Sequence, residues 1–102
     1  MKYIITESNK RRVQFIYLDY LLEDMYKIKV ESYSRLSYVF MIKENRIMQL
    51  EKSGNLEVIS PIWDKIERGF TENYEETQEL IKDWFEERLG FEGVKPKQVD
   101  FF

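Results

Sequence analysis

Residues 36–61 decide the fold of this chain, and they read LSYVFMIKENRIMQLEKSGNLEVISP. Two apolar runs and one mixed run are separated by short polar segments, Glu44-Asn45 and Ser53-Gly54-Asn55. Such segments favour tight turns, since Gly and Asn tolerate positive φ. The predicted strands are Leu36–Lys43, Arg46–Lys52 and Leu56–Ile59. This stretch therefore predicts an antiparallel meander.

Upstream of the meander, the pattern predicts a short strand, a helix and a further strand. Tyr3–Thr6 is typical of a short strand, and apolar residues recur at helical spacing from Asn9 to Asp24. From Tyr26 to Val30, apolar and charged residues alternate, which is the period of a half-buried strand. The meander thus gains a fourth strand on its N-terminal side.

Downstream, two helices are predicted. Ser60-Pro61 is typical of a helix start, with Ser as the cap and Pro in the first turn. Asn73 and Glu76 have the spacing of a capping box for the last helix, and Gly90 is a suitable terminator. One face of that helix is predicted to comprise Thr77, Leu80, Ile81, Trp84, Phe85 and Arg88, with Leu89 at its margin.

Helices placed before and after a meander predict an α+β domain, with the helices on one face of the sheet. Of the chain, 43% is hydrophobic and 16% aromatic, which is enough for a real core. We expect Trp63 and Trp84 in that core. Residues 1–90 are expected to form this single domain and residues 91–102 a C-terminal tail.

The first helix is apolar on two sides. One stripe comprises Val13, Ile16, Tyr17, Tyr20 and Leu21, and a second comprises Phe15, Leu18, Leu22 and Met25. Only a narrow polar strip separates them, made by Arg12, Asp19 and Glu23. A helix of this kind is nearly buried or offers its second face to a partner. We predict that the second stripe binds a partner protein or another copy of the chain, unless the last two helices cover it.

The chain contains neither histidine nor cysteine. It therefore lacks the side chain that titrates near neutral pH, the thiol nucleophile and the two best zinc ligands. An acid–base pair or a magnesium site could come from carboxylates of the last helix: Glu75, Glu76, Glu79, Asp83, Glu86 and Glu87. They lie mostly on its polar side, where solvent keeps them ionised. We predict a non-enzymatic protein with no metal and no cofactor.

The two ends of the chain differ in charge. Residues 1–52 carry ten basic and seven acidic side chains, whereas residues 64–92 carry ten acidic and four basic ones. A nucleic-acid-binding patch could be built from Lys10-Arg11-Arg12 with Lys27, Lys29, Arg35 and Arg46, and with Tyr33 and Tyr38 for base stacking. The acidic pI of about 5.1 and the lack of a nucleic-acid-binding motif favour two solvated faces instead.

The last five residues, Gln98-Val99-Asp100-Phe101-Phe102, resemble the short peptide with which bacterial and phage replication proteins bind the sliding clamp. Gln98, Asp100 and Phe102 match that motif, whereas Val99 and Phe101 replace its usual leucines. The resemblance implies a clamp-binding replication or transcription accessory protein. Docking of the two aromatic residues on the domain itself is the simpler interpretation, because exposed apolar side chains gain free energy on burial.

A second resemblance covers most of the domain. Residues 1–8, MKYIITES, residues 60–63, SPIW, and residues 75–87, EETQELIKDWFEE, resemble small uncharacterised proteins of marine tailed phages and metagenomes. The resemblance implies a phage-encoded protein of the host cytoplasm. No signal peptide or apolar run of about 20 residues is present, so no membrane contact is expected. We predict a protein-interaction or accessory module.

Overall fold

The computed structural model describes residues 7–31 and 33–102. The predicted strand Tyr3–Thr6 lies outside this range. The elements are α1 (Glu7–Leu21), β1 (Met25–Lys29), β2 (Leu36–Ile42), β3 (Asn45–Glu51), β4 (Asn55–Ile59), α2 (Ser60–Phe70), α3 (Tyr74–Leu89) and β5 (Lys95–Val99). The α+β class and the meander are confirmed, since strands β1 to β4 pair consecutively and antiparallel.

The turns of the meander follow local chemistry. Between β2 and β3 the turn residues are Lys43 and Glu44, one position earlier than predicted, and Lys43 has a φ of 56°. Gly54 has a φ of 101° in the next turn, as its sequence context predicts. A side chain at Gly54 would also collide with the Gly93 carbonyl oxygen, 2.7 Å from an ideal Cβ. This glycine therefore brings the turn close to the segment that precedes β5.

The interpretation of residues 91–102 as a tail is wrong for its central part. Lys95–Val99 form β5, which pairs parallel to β4 with Asn55 opposite Lys95 and Ile59 opposite Val99. An edge strand tolerates Pro96, which has no N–H to donate, and exposed lysines protect such an edge from further pairing. The β5 sequence, KPKQV, contains few apolar residues, so an apolar pattern did not predict this strand.

Helix α2 begins at Ser60, but Ser60 is not its cap. The cap residue is Ile59, which makes no capping side-chain hydrogen bond. The Ser60 hydroxyl instead lies 2.8 Å from the Asp100 carboxylate and 3.2 Å from the Val99 carbonyl oxygen. It therefore ties the start of α2 to the end of β5.

Both ends of α3 are as predicted. The Asn73 side chain accepts a hydrogen bond from the Glu76 backbone N–H at 2.8 Å. The Glu76 carboxylate accepts one from the Glu72 N–H at 3.2 Å. At the other end, Gly90 adopts a left-handed φ of 73° and its N–H bonds to the Phe85 carbonyl oxygen.

The core lies between the sheet and the three helices. Apolar residues of β2, β3 and β4, among them Phe40, Met48 and Val58, pack against the helices in one cluster. Trp63 is fully buried and Trp84 is 5% exposed, so both predicted core positions are confirmed. Five residues of the predicted face of α3, Thr77, Leu80, Ile81, Trp84 and Phe85, are also buried, whereas Arg88 is exposed.

Candidate interaction surface on the first helix

Helix α1 buries the stripe that we expected to be free. Phe15 and Leu22 are each 5% exposed and Leu18 is fully buried. Met25, just after the helix, packs against the same core as a half-buried residue. The sequence left open that the last two helices cover this stripe, and the structure shows that they do. These four side chains therefore do not form an exposed surface.

Polar contacts with α3 set this orientation. The Asp19 carboxylate accepts hydrogen bonds from the Trp84 indole N–H at 2.8 Å and from Arg88 Nε at 3.1 Å. Burial tends to raise the pKa of Asp19, but the hydrogen bonds from Arg88 and Trp84 and the Arg88 charge outweigh it, so the pKa lies below its ordinary value of 3.8. The Asp19 carboxylate is therefore directed at α3 although its side chain is 41% exposed, and this contact is consistent with the inward position of Phe15 and Leu18.

The basic run at the start of α1 is largely neutralised by α3. Lys10 Nζ lies 2.9 Å from Glu76 Oε1, and Arg11 Nη2 lies 3.5 Å from Asp83 Oδ2. The buried Gln14 amide also donates to Glu76 at 3.3 Å. The hydrogen bond from Lys10 lowers the pKa of Glu76 below its ordinary value of 4.5, against the opposing effect of burial. Oppositely charged parts of the sequence therefore meet along the α1–α3 contact.

The other basic residues considered for nucleic-acid contact do not share one face. Lys27 and Lys29 pair across β1 and β2 with residues of the helix-covered side, and Lys27 Nζ lies 5.3 Å from the centre of the Tyr38 ring. Arg35 and Arg46 bond to polar side chains on the opposite side of the sheet. The residues needed for a single basic patch are thus divided between the two faces.

A chain of hydrogen bonds crosses the sheet face that points away from the helices, and the sequence analysis missed it. The Gln49 side chain, only 3% exposed as a residue, donates to Glu57 at 2.7 Å and accepts from Arg46 at 3.2 Å. Arg35 bridges Glu57 and Glu51. The Gln49 hydrogen bond is the main cause that lowers the pKa of Glu57. Only the cross-strand pairing of Gln49 with Glu57 could have revealed this chain.

The first half of the C-terminal peptide is bound within the domain. The Gln98 amide donates to Ser60 Oγ at 3.1 Å and to Asp64 Oδ1 at 3.2 Å, and the Gln98 backbone N–H donates to the Tyr74 hydroxyl at 3.0 Å. Val99 is half-buried in β5. Clamp binding stays a prediction, and it would require Gln98 to leave these partners.

The second half of the peptide lies at the surface. Asp100 is exposed apart from its contact with Ser60, and Phe101 is 82% exposed. Phe102 is 40% exposed, with the Arg46 guanidinium 6.0 Å from its ring centre. The expected docking of both aromatic side chains on the domain is therefore limited to a partial contact of Phe102.

The outward side of α1 is apolar and exposed. Val13 is 37% exposed, Ile16 55% and Tyr20 73%, at spacings of three and four residues that align them along one face. A groove of about 440 Å³ lies beside Ile16, and its wall includes Arg12 and Arg88. This surface, defined by Val13, Ile16 and Tyr20, is called the outward stripe.

In residues 7–31 and 33–102, no three acidic side chains come together as metal ligands. None of the helices formed there is both long enough and apolar enough to cross a membrane.

No protein family, curated protein or solved structure matches this chain. The resemblance to phage proteins stays a prediction. Function is therefore inferred from the geometry of the chain's own residues.

Proposed function

We propose that the protein is a protein-interaction module that binds its partner through the outward stripe of α1. A surface helix normally has one apolar stripe, which faces the core. Helix α1 satisfies the core with Phe15 and Leu18 on its inward side and still carries three aligned apolar residues outside. This surplus stripe is the observation that carries the proposal.

The other exposed apolar residues of the described ranges do not line up along the face of a helix: they lie on β1, between β1 and β2, at the two ends of α3 and at the C-terminus. Tyr33 is fully exposed but stands in the segment between β1 and β2. Tyr26 and Ile28 lie on the edge strand β1, where Tyr26 donates its hydroxyl to the Lys43 carbonyl oxygen at 2.6 Å. Single exposed apolar residues are ordinary on protein surfaces, whereas an aligned aliphatic and aromatic set is typical of interfaces.

Site-specific photo-crosslinking in cells that naturally produce the protein tests this proposal. Tyr20 is replaced by a photoreactive phenylalanine, and Tyr33 is replaced in the same way as a matched control. We expect a defined protein adduct from position 20 and none from position 33. No adduct at position 20, or the same adducts from both positions, would contradict the proposal.

A further inference from the structure

We infer that the partner of the outward stripe is a second copy of this chain, with the two α1 helices packed antiparallel about a two-fold axis. This inference rests on the proposed function and names its partner. A two-fold interface uses the same patch on both copies, so the patch must be complementary to itself. The outward stripe is complementary to itself in shape, and the charged residues beside it are complementary to one another.

The charges beside the stripe are arranged for antiparallel pairing. Arg12 is exposed near the first half of α1, and Glu23 and Asp24 are exposed in the turn after it. Arg12 lies in the second turn of α1 and Glu23 in the turn just beyond its last residue, so the basic and the acidic groups stand at opposite ends of the outward stripe. Antiparallel packing places Arg12 of each copy beside Glu23 of the other, which makes two equivalent ion pairs.

No ion pair within the described part of the chain neutralises these charges. Lys10 and Arg11 pair with α3, but Arg12, Glu23 and Asp24 form no salt bridge with any other residue in the described ranges. Acidic groups at the C-terminal end of a helix also oppose the helix dipole. The two acidic residues therefore gain more from the basic end of a second helix than from their own.

The shape of the stripe fits the same arrangement. If the two-fold axis crosses the outward stripe midway between Ile16 and Tyr20, Ile16 of one copy lies against Tyr20 of the other. The Tyr20 ring then falls over the groove beside Ile16, which is lined by Arg12, Glu87 and Arg88 among others. A tyrosine ring beside guanidinium groups gains both apolar contact and cation–π attraction.

The expected affinity is low because the surface is small. One helix face with three apolar side chains belongs to interfaces that bury less than about 1,200 Å² in total. Interfaces of that size are weak and reversible. We expect a dissociation constant on the order of 10–100 µM.

Sedimentation equilibrium of the full chain with a charge-reversal cycle tests the inference. Arg12→Glu should weaken dimerisation by about tenfold, because it replaces two attractions by two repulsions. The double variant Arg12→Glu with Glu23→Arg restores both pairs in reversed order and should return the dissociation constant to within about threefold of the wild type. Lys52→Glu makes the same charge change in an exposed turn and should leave dimerisation unchanged.

Three results would overturn the inference: a wild-type chain that stays monomeric up to about 1 mM, a dimer insensitive to Arg12→Glu, or a double variant as weak as the single one. The proposed function is judged separately by the crosslink at position 20. An adduct with a different protein, together with a monomeric chain, would keep the proposed function and reject the second copy. An adduct of twice the chain mass would support both.

Discussion

The two sides of α1 have similar apolar content, but one side is buried and the other is exposed. The inward side reduces Phe15, Leu18 and Leu22 to 5% exposure or less, whereas the outward side leaves Ile16 and Tyr20 more than half exposed. The inward side carries one Phe and two Leu side chains, and its polar neighbour Asp19 accepts hydrogen bonds from Trp84 and Arg88 on α3. Apolar burial and these polar contacts together favour burial of the inward side.

The largest effect is expected on the inward side. Leu18→Glu combined with Leu22→Glu should unfold the domain, because two carboxylates would be forced into the core without partners. Circular dichroism and tryptophan fluorescence would measure the loss of structure. A folded double variant of lower oligomeric mass would reverse our assignment of the two sides.

The C-terminal peptide also has a bound part and an exposed part. Gln98 and Val99 are bound within the domain, whereas Phe101 is exposed. Removing residues 98–102 should lower stability by about 1–3 kcal/mol, because the strand pairing and the hydrogen bonds to Ser60 and Asp64 are lost. The melting temperature should fall by about 5 °C or more. Removing only residues 101–102 is the matched control and should change it little. Equal melting temperatures for both truncations would contradict the bound position of Gln98.

The pH dependence of stability reports the contact that orients α1. The folded-state pKa of Asp19, and those of Glu57 and Glu76, are lowered, so these groups stabilise the fold fully above their ordinary values. That contribution should be lost as the pH falls below about 4.5 and through the lower folded values.

Asp19→Asn isolates this effect. It should lower the melting temperature at pH 7, because the charged partner of Arg88 is removed. At pH 3 the difference from the wild type should shrink, since pH 3 lies below the ordinary pKa of 3.8, where the unfolded chain takes up a proton on Asp19. Thermal melts at both values measure this. The same difference at both pH values would mean that the Asp19 charge does not hold α1 to α3.

The smallest effect on stability is expected on the outward side. Ile16→Glu combined with Tyr20→Glu adds the same two charges as the inward double variant, but at exposed positions. The free energy of unfolding should stay within about 1 kcal/mol of the wild type, whereas partner binding should be lost. Urea denaturation checks the first part and sedimentation the second. Unfolding of this variant would show that the outward stripe is structural.

Local chemistry made much of this fold predictable. The alternation of β1, the apolar run of β2, the Asn73 cap and the Gly90 terminator each depend on a few neighbouring residues. They are encoded within one turn or one strand of the chain. The predicted positions accordingly agree with the structure to within one or two residues.

Features set by distant partners were missed. Strand β5 forms only because residue 95 meets residue 55 in parallel pairing, and its own sequence, KPKQV, has no strand period. Gln49 gave no signal because its partner Glu57 lies on the next strand. The orientation of α1 depended on Asp19 finding Trp84, 65 residues away. The sequence therefore predicted a binding role for a stripe that the structure buries.

The two sides of α1 can be compared in one measurement, a methyl NMR spectrum recorded over a dilution series of the wild-type chain. We predict that the Val13 and Ile16 methyl signals shift with protein concentration, while those of Leu18 and Leu22 stay fixed. The shifts should follow a single dissociation constant. Concentration-dependent shifts at Leu18 and Leu22, shifts confined to β1, or no shifts at all would contradict a binding role for the outward stripe with a second copy.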